Sequence, residues 1–188
     1  MLEGKLVNLR ALEMSDLDRN TRWVNDREVT QFLAMRYAMS QLAEEAWLRA
    51  HAERPLSFDN VLFAIETKDV RHIGNVGLER TSAEDRKALL GIIIGEKDCW
   101  SQGYGTDAIT TLLRFAFDEM NLNKVALTTY DFNDRAQACY RKCGFVEEGR
   151  LREARYSDGA YHDEVLMSVL RDEFYALRGG ARAQEVAR

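Results

Sequence analysis

The sequence predicts an α/β fold (α+β in some schemes), in which helices flank a mixed, mostly antiparallel sheet with one parallel strand pair at its centre. Residues 87–95 are the most apolar stretch and are rich in β-branched side chains, which is typical of a central strand buried on both faces. Residues 105–120 place apolar side chains at helical spacing, and residues 124–130 have the pattern of the next strand. A strand–helix–strand connection of this length favours a right-handed crossover and parallel pairing.

The N-terminal quarter of the chain predicts one strand and two helices. Residues 5–10 alternate imperfectly between apolar and polar side chains, as a strand does. Ser15 and Asp18 resemble a capping box that begins the first helix, and Ser40 is suited to cap a second helix over residues 41–52. We expect three side chains of this second helix to face the core: Leu42, Ala46 and Leu48.

Antiparallel strands surround the predicted central pair. Residues 61–66 and 73–79 form two β-rich segments separated by a short turn. Near the C-terminus, the Asp158-Gly159 dipeptide is a hairpin signal between strands at residues 145–155 and 160–170. These segments complete a sheet with antiparallel arms on both sides of its parallel centre.

The composition excludes several classes of protein. The 188 residues are 46% hydrophobic and 30% charged, which suits one globular domain over residues 1–177; residues 178–188 have few large apolar side chains and predict a flexible tail. A net charge of −5 argues against nucleic-acid binding, and no apolar run approaches the roughly 20 residues of a membrane helix. Because no signal or transit peptide is evident, we expect a cytoplasmic protein with three reduced cysteines.

The loop between the most apolar strand and the following helix has the features of an anion-binding site. Gly103 and Gly105 let the backbone approach a bulky anion, and the helix that follows presents free N–H groups, to which Thr106 adds a hydroxyl. A tight turn without a ligand is the alternative interpretation. The loop lacks the Lys of a Walker A motif and the third glycine of the dinucleotide-binding motif.

A second motif, NDRAQACYRKCGF at residues 133–145, follows one helix and one strand later. Asn133 or Asp134 caps a short helix here, and Gly144 ends it. Together, the two motifs resemble the GNAT superfamily of acyl-coenzyme A N-acyltransferases. The second motif resembles that family's N-x-x-A-x-x-x-Y-x-K-x-G-F segment at six positions: Asn133, Ala136, Tyr140, Lys142, Gly144 and Phe145.

The resemblance extends over residues 5–174 and is similar to the branch of ribosomal-protein alanine and spermidine N-acetyltransferases. It implies acetyl-CoA as the cosubstrate, no metal, a homodimer, and a parallel strand pair that splays apart, usually through a bulge. It assigns Ile92, Ile93 and Ile94 to binding of the pantetheine arm and thioester. The pyrophosphate is assigned to Gln102, Gly103, Tyr104, Gly105 and Thr106. Asn133 is assigned a hydrogen bond to the cofactor near the pantetheine arm, and Ala136 is small where the cofactor passes close to the helix. Core packing and helix capping are the alternative interpretations of these residues.

Tyr140 is the catalytic residue that the resemblance implies, as a proton donor to the departing thiolate. A Tyr of pKa about 10 and a thiol of about 8.5 make full proton transfer uphill by roughly 2 kcal/mol, so a strengthening hydrogen bond is the more realistic form. The alternative interpretation of Tyr140 is a packed aromatic side chain.

Two positions depart from the pattern of the family. Trp100 replaces a common Arg or Gln, and Leu89 stands where a Glu within the strand is frequent.

The acceptor implied by the resemblance is a primary amine, with a protein N-terminal α-amine as the leading prediction. A polyamine or an amino sugar is the alternative acceptor, and a non-catalytic acyl-CoA sensor or a nucleotide-binding protein are alternatives of other classes. For each of the following candidate side chains, we favour a structural interpretation (an exposed, packed or solvated side chain) over the functional one. The candidate bases are Glu79, His72 and His162, and the candidate side chains of the acceptor pocket are Trp23, Phe32 and Trp47. Glu44 and Glu45 either contact a polyamine or are solvated helix charges. Cys139 and Cys143 lack the further ligands of a zinc site.

Overall fold

The computed structural model describes residues 1–53 and 60–179. In these residues one eight-stranded sheet has the order β1-β2-β3-β4-β5-β6-β8-β7, and every neighbouring pair is antiparallel except β5–β6. The predicted mixed α/β fold with a parallel central pair is therefore confirmed. The strands are β1 (Leu2–Glu3), β2 (Val7–Arg10), β3 (Asn60–Thr67), β4 (His72–Ser82), β5 (Lys87–Ile94), β6 (Lys124–Tyr130), β7 (Val146–Ser157) and β8 (Ala160–Leu170).

Helices cover both faces of the sheet. They are α1 (Leu17–Val24), α2 (Arg27–Thr30), α3 (Gln41–Ala52), α4 (Tyr104–Asp118), α5 (Asp134–Cys143) and α6 (Arg171–Ala176). Adjacent side chains of β3 show how the two faces differ: Ile65 packs in the main core with α4, whereas Ala64 packs with Leu12 and Leu48 on the opposite face. No helix of the described residues combines the length and the apolar character that a membrane span requires.

The crossover helix α4 forms as its spacing predicts. Ile109, Leu112, Leu113, Ala116 and Met120 are all buried against the sheet. The strand before it, β5, differs from the prediction. Only one of its faces is buried, because Leu89 is 43% exposed and Gly91 is exposed on the other face. The open face of β5 borders a cavity, so burial on both faces was wrong.

Three of the four predicted helix caps are observed, at Ser40, Asn133 and Gly144. Ser40 caps α3 through a hydrogen bond from the Ala43 N–H, and Gly144 ends α5 in the left-handed conformation. A single 3₁₀ turn (Met14–Asp16) precedes α1, and Glu13 and Asp16 form the capping box of this turn. The capping box predicted at Ser15 and Asp18 was therefore wrong.

The inward face of α3 also differs from the prediction. Leu48 is buried as expected, but Leu42 is 76% exposed and Ala46 is exposed. Glu44 and Leu48, four residues apart, are the buried side chains of this helix. The helix is therefore rotated so that a carboxylate takes an inward position.

A buried polar network joins the start of α1 to strand β4. Arg10 donates two hydrogen bonds of 2.8 Å to the Asp16 carboxylate, and His72 Nδ1 lies 3.1 Å from Asp16 Oδ1. His72 Nε2 lies 2.9 Å from Asn75 Oδ1, and Asn75 donates to Asn20 Oδ1 at 3.1 Å. The network holds α1 over the strand that flanks β5.

The C-terminal hairpin forms at the predicted dipeptide, since Asp158 and Gly159 have φ values of 51° and 83°. Of the predicted tail, Arg178 is half-buried and its guanidinium donates to Phe174 O at 3.1 Å and to Thr110 Oγ1 at 3.2 Å. Residues 180–188 lie outside the described residues.

Candidate functional site

The two parallel strands pair only at their beginnings. The last residue pair of β5 and β6 is Leu89 opposite Ala126, whereas β5 stays paired with β4 up to Ile94. Among the described residues, no strand lies beside the other edge of residues 90–94, and that edge borders a cleft of about 800 Å³. The expected splay is therefore present. The register shift between β4 and β5 lies at Arg80/Ser82, at the far end of the strand, so the expected bulge does not produce it.

The loop before α4 presents free backbone donors beside this cleft. Gly103 is the N-cap of α4 with φ of 90°, and its carbonyl accepts the first helical hydrogen bond from the Asp107 N–H at 3.0 Å. The N–H groups of Tyr104, Gly105 and Thr106 precede that bond and so have no intrahelical acceptor. Together with the helix dipole, these donors form a site suited to a phosphate.

Two of the predicted pyrophosphate-binding residues of this loop do not direct their side chains into the cleft. Gln102 is exposed and its amide donates to the Asp98 carbonyl, outside the cleft lining. Tyr104 packs against the core rather than lining the cleft. The Thr106 hydroxyl lies 3.3 Å from Cys139 Sγ. At Gln102 and Tyr104 only the backbone is available for a pyrophosphate.

The start of α5 forms the opposite wall of the cleft. Asn133 is buried, and its Oδ1 accepts a hydrogen bond from the Ala136 N–H at 3.2 Å. Its cap role is therefore observed, and its Nδ2 makes no hydrogen bond to a described residue. Both Asn133 and Ala136 line the cleft with Ile92, Ile93 and Ile94.

Tyr140 lies in the same cleft and is only 9% exposed. Burial, assisted by the neighbouring Cys139 and Cys143, raises the pKa of its phenol well above the ordinary value. Its hydroxyl makes no hydrogen bond to any residue that the structure describes. At neutral pH it is a protonated donor without an internal acceptor, facing the space beside the splayed strand.

The two cysteines of α5 are unbridged thiols that contact the loop. Cys143 Sγ donates to the Thr106 carbonyl at 3.7 Å. A hydrogen bond between the two thiols lowers the pKa of Cys139, and the same bond, with burial, raises that of Cys143. Cys139 lines the cleft, whereas Cys143 is fully buried. No metal-binding cluster of His, Cys, Asp and Glu occurs within residues 1–53 and 60–179.

Trp100 occupies the loop position where the family resemblance leads us to expect Arg or Gln. Its indole Nε1 donates to the Ile94 carbonyl at 2.7 Å, and the Arg135 guanidinium lies 3.8 Å from its ring centre. Phe32 lies on Arg135 as well, at 5.5 Å. Trp100 thus brings a cation from α5 to the cleft. Phe32, a candidate for the acceptor pocket, lines this cleft.

A second cavity of about 600 Å³ lies against the exposed face of β5. It shares Leu33 and residues 90–93 with the cleft beside the splayed strands, so the two spaces meet at the middle of β5. Most of its wall is apolar and includes two of the predicted pocket residues, Trp23 and Trp47, together with Met35 and Met39, which were not predicted. Of the described lining residues, two are carboxylates and none is Lys or Arg.

The two carboxylates of this cavity differ in environment. Glu79 is exposed at the outer end of β4, opposite Leu89. Glu44 is only 3% exposed, and burial raises the pKa of its carboxyl. We interpreted Glu44 as a solvated helix charge, which was wrong. The sequence feature that could have predicted its burial is its spacing: Glu44 lies three residues before Trp47 and four before Leu48, so the three side chains share one face of the helix.

The three candidate bases lie in different surroundings. Glu79 lines the second cavity. His72 is fully buried in the Asp16–Asn75 network and lines neither space. His162 lies 3.4 Å from Asp131 Oδ1 and against the Phe132 ring, also outside both linings. Only Glu79 of the three is in position to meet an amine in the cavity.

Comparison with known proteins identifies the family that builds such a cleft. Residues 7–146 match the family model of the Acetyltransferase (GNAT) domain. The chain belongs to this GNAT family. It is a GNAT-type N-acetyltransferase, an acyltransferase whose cosubstrate is acetyl-CoA.

Named relatives of this GNAT protein come from both predicted groups. The spermidine N(1)-acetyltransferase of Vibrio cholerae is 30% identical over 172 residues, which are 89% of this chain and 95% of that protein. The putative ribosomal N-acetyltransferase YdaF of Bacillus subtilis is 35% identical over 101 residues, but this match spans only 55% of YdaF. A crystal structure of the Vibrio cholerae spermidine N-acetyltransferase with CoA and spermine matches with a TM-score of 0.81 and 28% identity, covering 90% of this chain and 98% of that one.

Proposed function

We propose that this GNAT protein transfers the acetyl group of acetyl-CoA to a primary amine of a small polyamine. The observation that carries the proposal is the 600 Å³ cavity, which has two carboxylates, no described cationic side chain, and a shared boundary with the cofactor cleft at residues 90–93. A cationic amine complements that charge, and its hydrocarbon chain complements the apolar wall. The similarity to spermidine acetyltransferases supports the same class of acceptor.

In this proposal the cofactor lies between β5 and α5. The free edge of residues 92–94 binds the pantetheine amides as an added strand would, and one N–H there donates to the thioester carbonyl as negative charge develops. The N–H groups from Gly103 to Thr106 bind the pyrophosphate. Asn133 Nδ2 donates to the pantetheine arm, and the small Ala136 leaves room for it. Gln102 and Tyr104 contribute through their backbones.

Tyr140 is the proposed general acid. Its protonated hydroxyl donates a hydrogen bond to the departing sulfur, and the bond strengthens as charge accumulates there. Because burial raises the pKa of Tyr140, full proton transfer is even less favourable than the roughly 2 kcal/mol of an unperturbed Tyr. A hydrogen bond without full transfer is therefore the proposed role.

The acceptor amine must lose a proton before it attacks. An alkyl amine of pKa about 10.4 is neutral in only about one molecule in 2,500 at pH 7, a deficit of roughly 4–5 kcal/mol. Glu79 is the candidate base that lines the cavity. Its exposed position gives the proton a route to solvent.

A protein N-terminal α-amine is the second candidate acceptor, favoured by the similarity to YdaF. An α-amine has a pKa near 8 and needs far less assistance from a base. Assays of CoA-thiol release separate the candidates. We expect release with spermidine and 1,4-diaminobutane and little with peptides that carry a free N-terminal Ala or Ser.

Release with the peptides alone would overturn the polyamine proposal and support the α-amine. CoA binding without release by either acceptor would instead indicate a sensor, and ATP binding tighter than CoA binding would indicate a nucleotide-binding protein. Light scattering tests the homodimer that the family resemblance implies, and cell fractionation tests the expected cytoplasmic location.

A further inference from the structure

The Glu44 carboxylate is a buried charge without a partner in the described part of the chain. It lies on the inner face of α3, is 3% exposed, and makes no hydrogen bond or ion pair to a described residue. Its neighbour Glu45 pairs with Arg49 at 2.9 Å on the outer side of the same helix. Burial of an unpaired carboxylate is unfavourable, so such a group calls for a ligand or for protonation.

The surroundings of Glu44 suit an organic cation. Trp23 and Trp47 line the same cavity, and aromatic rings attract an alkylammonium through their faces. Met35 and Met39 add flexible apolar surface that adapts to a hydrocarbon chain. An inorganic cation would find too few oxygen ligands here.

The position of Glu44 distinguishes it from the reacting centre. The thioester site of the proposed function lies at residues 92–94 of β5, where the cavity meets the cleft. Glu44 lies on α3, a different wall of the cavity from β5. An acceptor that places one amine at β5 and extends along the cavity brings its other end to α3.

We propose that Glu44 binds the non-reacting ammonium group of the acceptor and so selects diamines and polyamines over monoamines. The inference rests on the proposed function, since it assumes that the cavity holds the acceptor. Glu44 acts as a specificity-determining residue, with no part in the proton transfer at the reacting amine.

Kinetics with matched acceptors test the inference. 1,4-Diaminobutane and n-pentylamine have nearly the same shape, but a methyl group in the second replaces the distal ammonium. We expect wild type to have a KM for the diamine roughly 10- to 100-fold below that for the monoamine, as for a buried charged hydrogen bond. Glu44→Gln should remove this preference by raising the diamine KM, with kcat changed less than about threefold, a change too small to indicate loss of a catalytic group.

Glu45→Gln is the matched control, because it changes the same charge one residue away on the solvent side of α3. It should keep the wild-type preference. If Glu44→Gln keeps the diamine preference, or if Glu45→Gln removes it as well, the inference is wrong.

The pH dependence of the diamine KM gives a second measurement. Protonated Glu44 has no charge to offer, so the diamine KM should rise as the pH falls through the pKa of Glu44, which burial places above the ordinary Glu value. The other titratable groups on the cavity wall are His51 of α3 and Glu79 of β4. Glu45→Gln should keep this rise, whereas Glu44→Gln should abolish it; the opposite result would overturn the inference.

Two further measurements separate this inference from the proposed function. If wild type acetylates neither amine, the proposed function fails first, and calorimetry with 1,4-diaminobutane then tests Glu44 directly. Binding by wild type and loss of binding in Glu44→Gln support the inference, whereas equal binding contradicts it. Glu44→Leu serves as a second variant if the Gln variant is unstable, since removal of an unpaired buried carboxylate should not lower the melting temperature.

Discussion

At the scale of single residues, Tyr140 has the properties that its proposed role as a hydrogen-bond donor to the leaving sulfur requires. It is buried, protonated at neutral pH and without a partner among the described residues. Its neighbours Thr106 and Cys139, by contrast, contact each other at 3.3 Å. The hydroxyl of Tyr140 therefore remains available to a ligand in the cleft.

Tyr140→Phe should lower kcat more than about tenfold, because only the hydroxyl that assists the leaving sulfur is removed. The dissociation constant of CoA should change little, since the ring and its contact with Phe145 remain. Steady-state kinetics and calorimetry measure the two effects. Tyr156→Phe is a control on β7, where Tyr156 is 52% exposed; unchanged turnover in Tyr140→Phe would refute the acid role.

Cys139 provides a chemical probe of the cleft. Cys139 and Cys99 both line the cleft, but the pKa of Cys139 is lowered, whereas Cys99 is buried and burial raises its pKa. Iodoacetamide should therefore modify Cys139 faster than Cys99, and saturating desulfo-CoA should slow the modification of Cys139 because the ligand covers it. Peptide mass spectrometry measures both rates. Absence of protection would mean that CoA binds elsewhere.

At the scale of the elements, two glycines at helix ends offer a direct comparison. Gly103 begins α4 with φ of 90°, and Gly144 ends α5 with φ of 102°. An added Cβ would meet other side chains no closer than 3.4 Å at either position, so backbone strain is the main effect of a substitution.

Gly103→Ala and Gly144→Ala should each reduce the free energy of unfolding by about 1–2 kcal/mol, the strain of an L-residue in the left-handed region. Only Gly103→Ala should also weaken CoA binding, because its loop carries the proposed pyrophosphate donors. Urea denaturation and calorimetry measure the two effects. An equal loss of CoA affinity in both variants would contradict the role of the loop.

The elements also show where local patterns mislead. Residues 87–95 have the composition of a fully buried strand, yet β5 is open on the face that borders the acceptor cavity. Composition reports how apolar a strand is, and a substrate cavity requires apolar walls as much as a core does. For α3, the choice of inward face depended on whether Glu44 is buried, and binary patterning places such a residue outside.

At the scale of the whole molecule, the Arg10–Asp16–His72 network connects β2, the start of α1 and β4. Burial of Asp16 raises its pKa, but hydrogen bonds from Arg10 and His72 outweigh that effect and hold the pKa well below the ordinary value. A carboxyl whose pKa is lowered by folding stabilises the fold above its unfolded pKa and loses that contribution as the pH falls.

Asp16→Asn should lower the free energy of unfolding by about 3 kcal/mol at pH 7, because it removes a buried carboxylate and leaves the half-buried guanidinium of Arg10 with one carboxylate, Glu66, instead of two. The difference from wild type should shrink as the pH falls below about 3.9, the unfolded Asp pKa, because the unfolded wild-type chain then binds a proton that folded Asp16 does not. Urea denaturation between pH 3 and 7 measures it. A difference independent of pH would show that packing, not charge, is responsible.

The sequence by itself determined the order and type of the elements other than β1, α2 and α6, together with the parallel crossover, the caps of α3 and α5, and the family resemblance carried by residues 100–108 and 133–145. These features depend on side-chain periodicity and on glycine or capping residues within a few positions, so local physics is sufficient. Only the tertiary structure decided where β5 and β6 separate, that Arg135 lies on Trp100, and that Glu44 is buried beside the acceptor cavity. Each of these depends on which distant segments meet, because the burial of a charge is set by neighbours that its own helix does not specify.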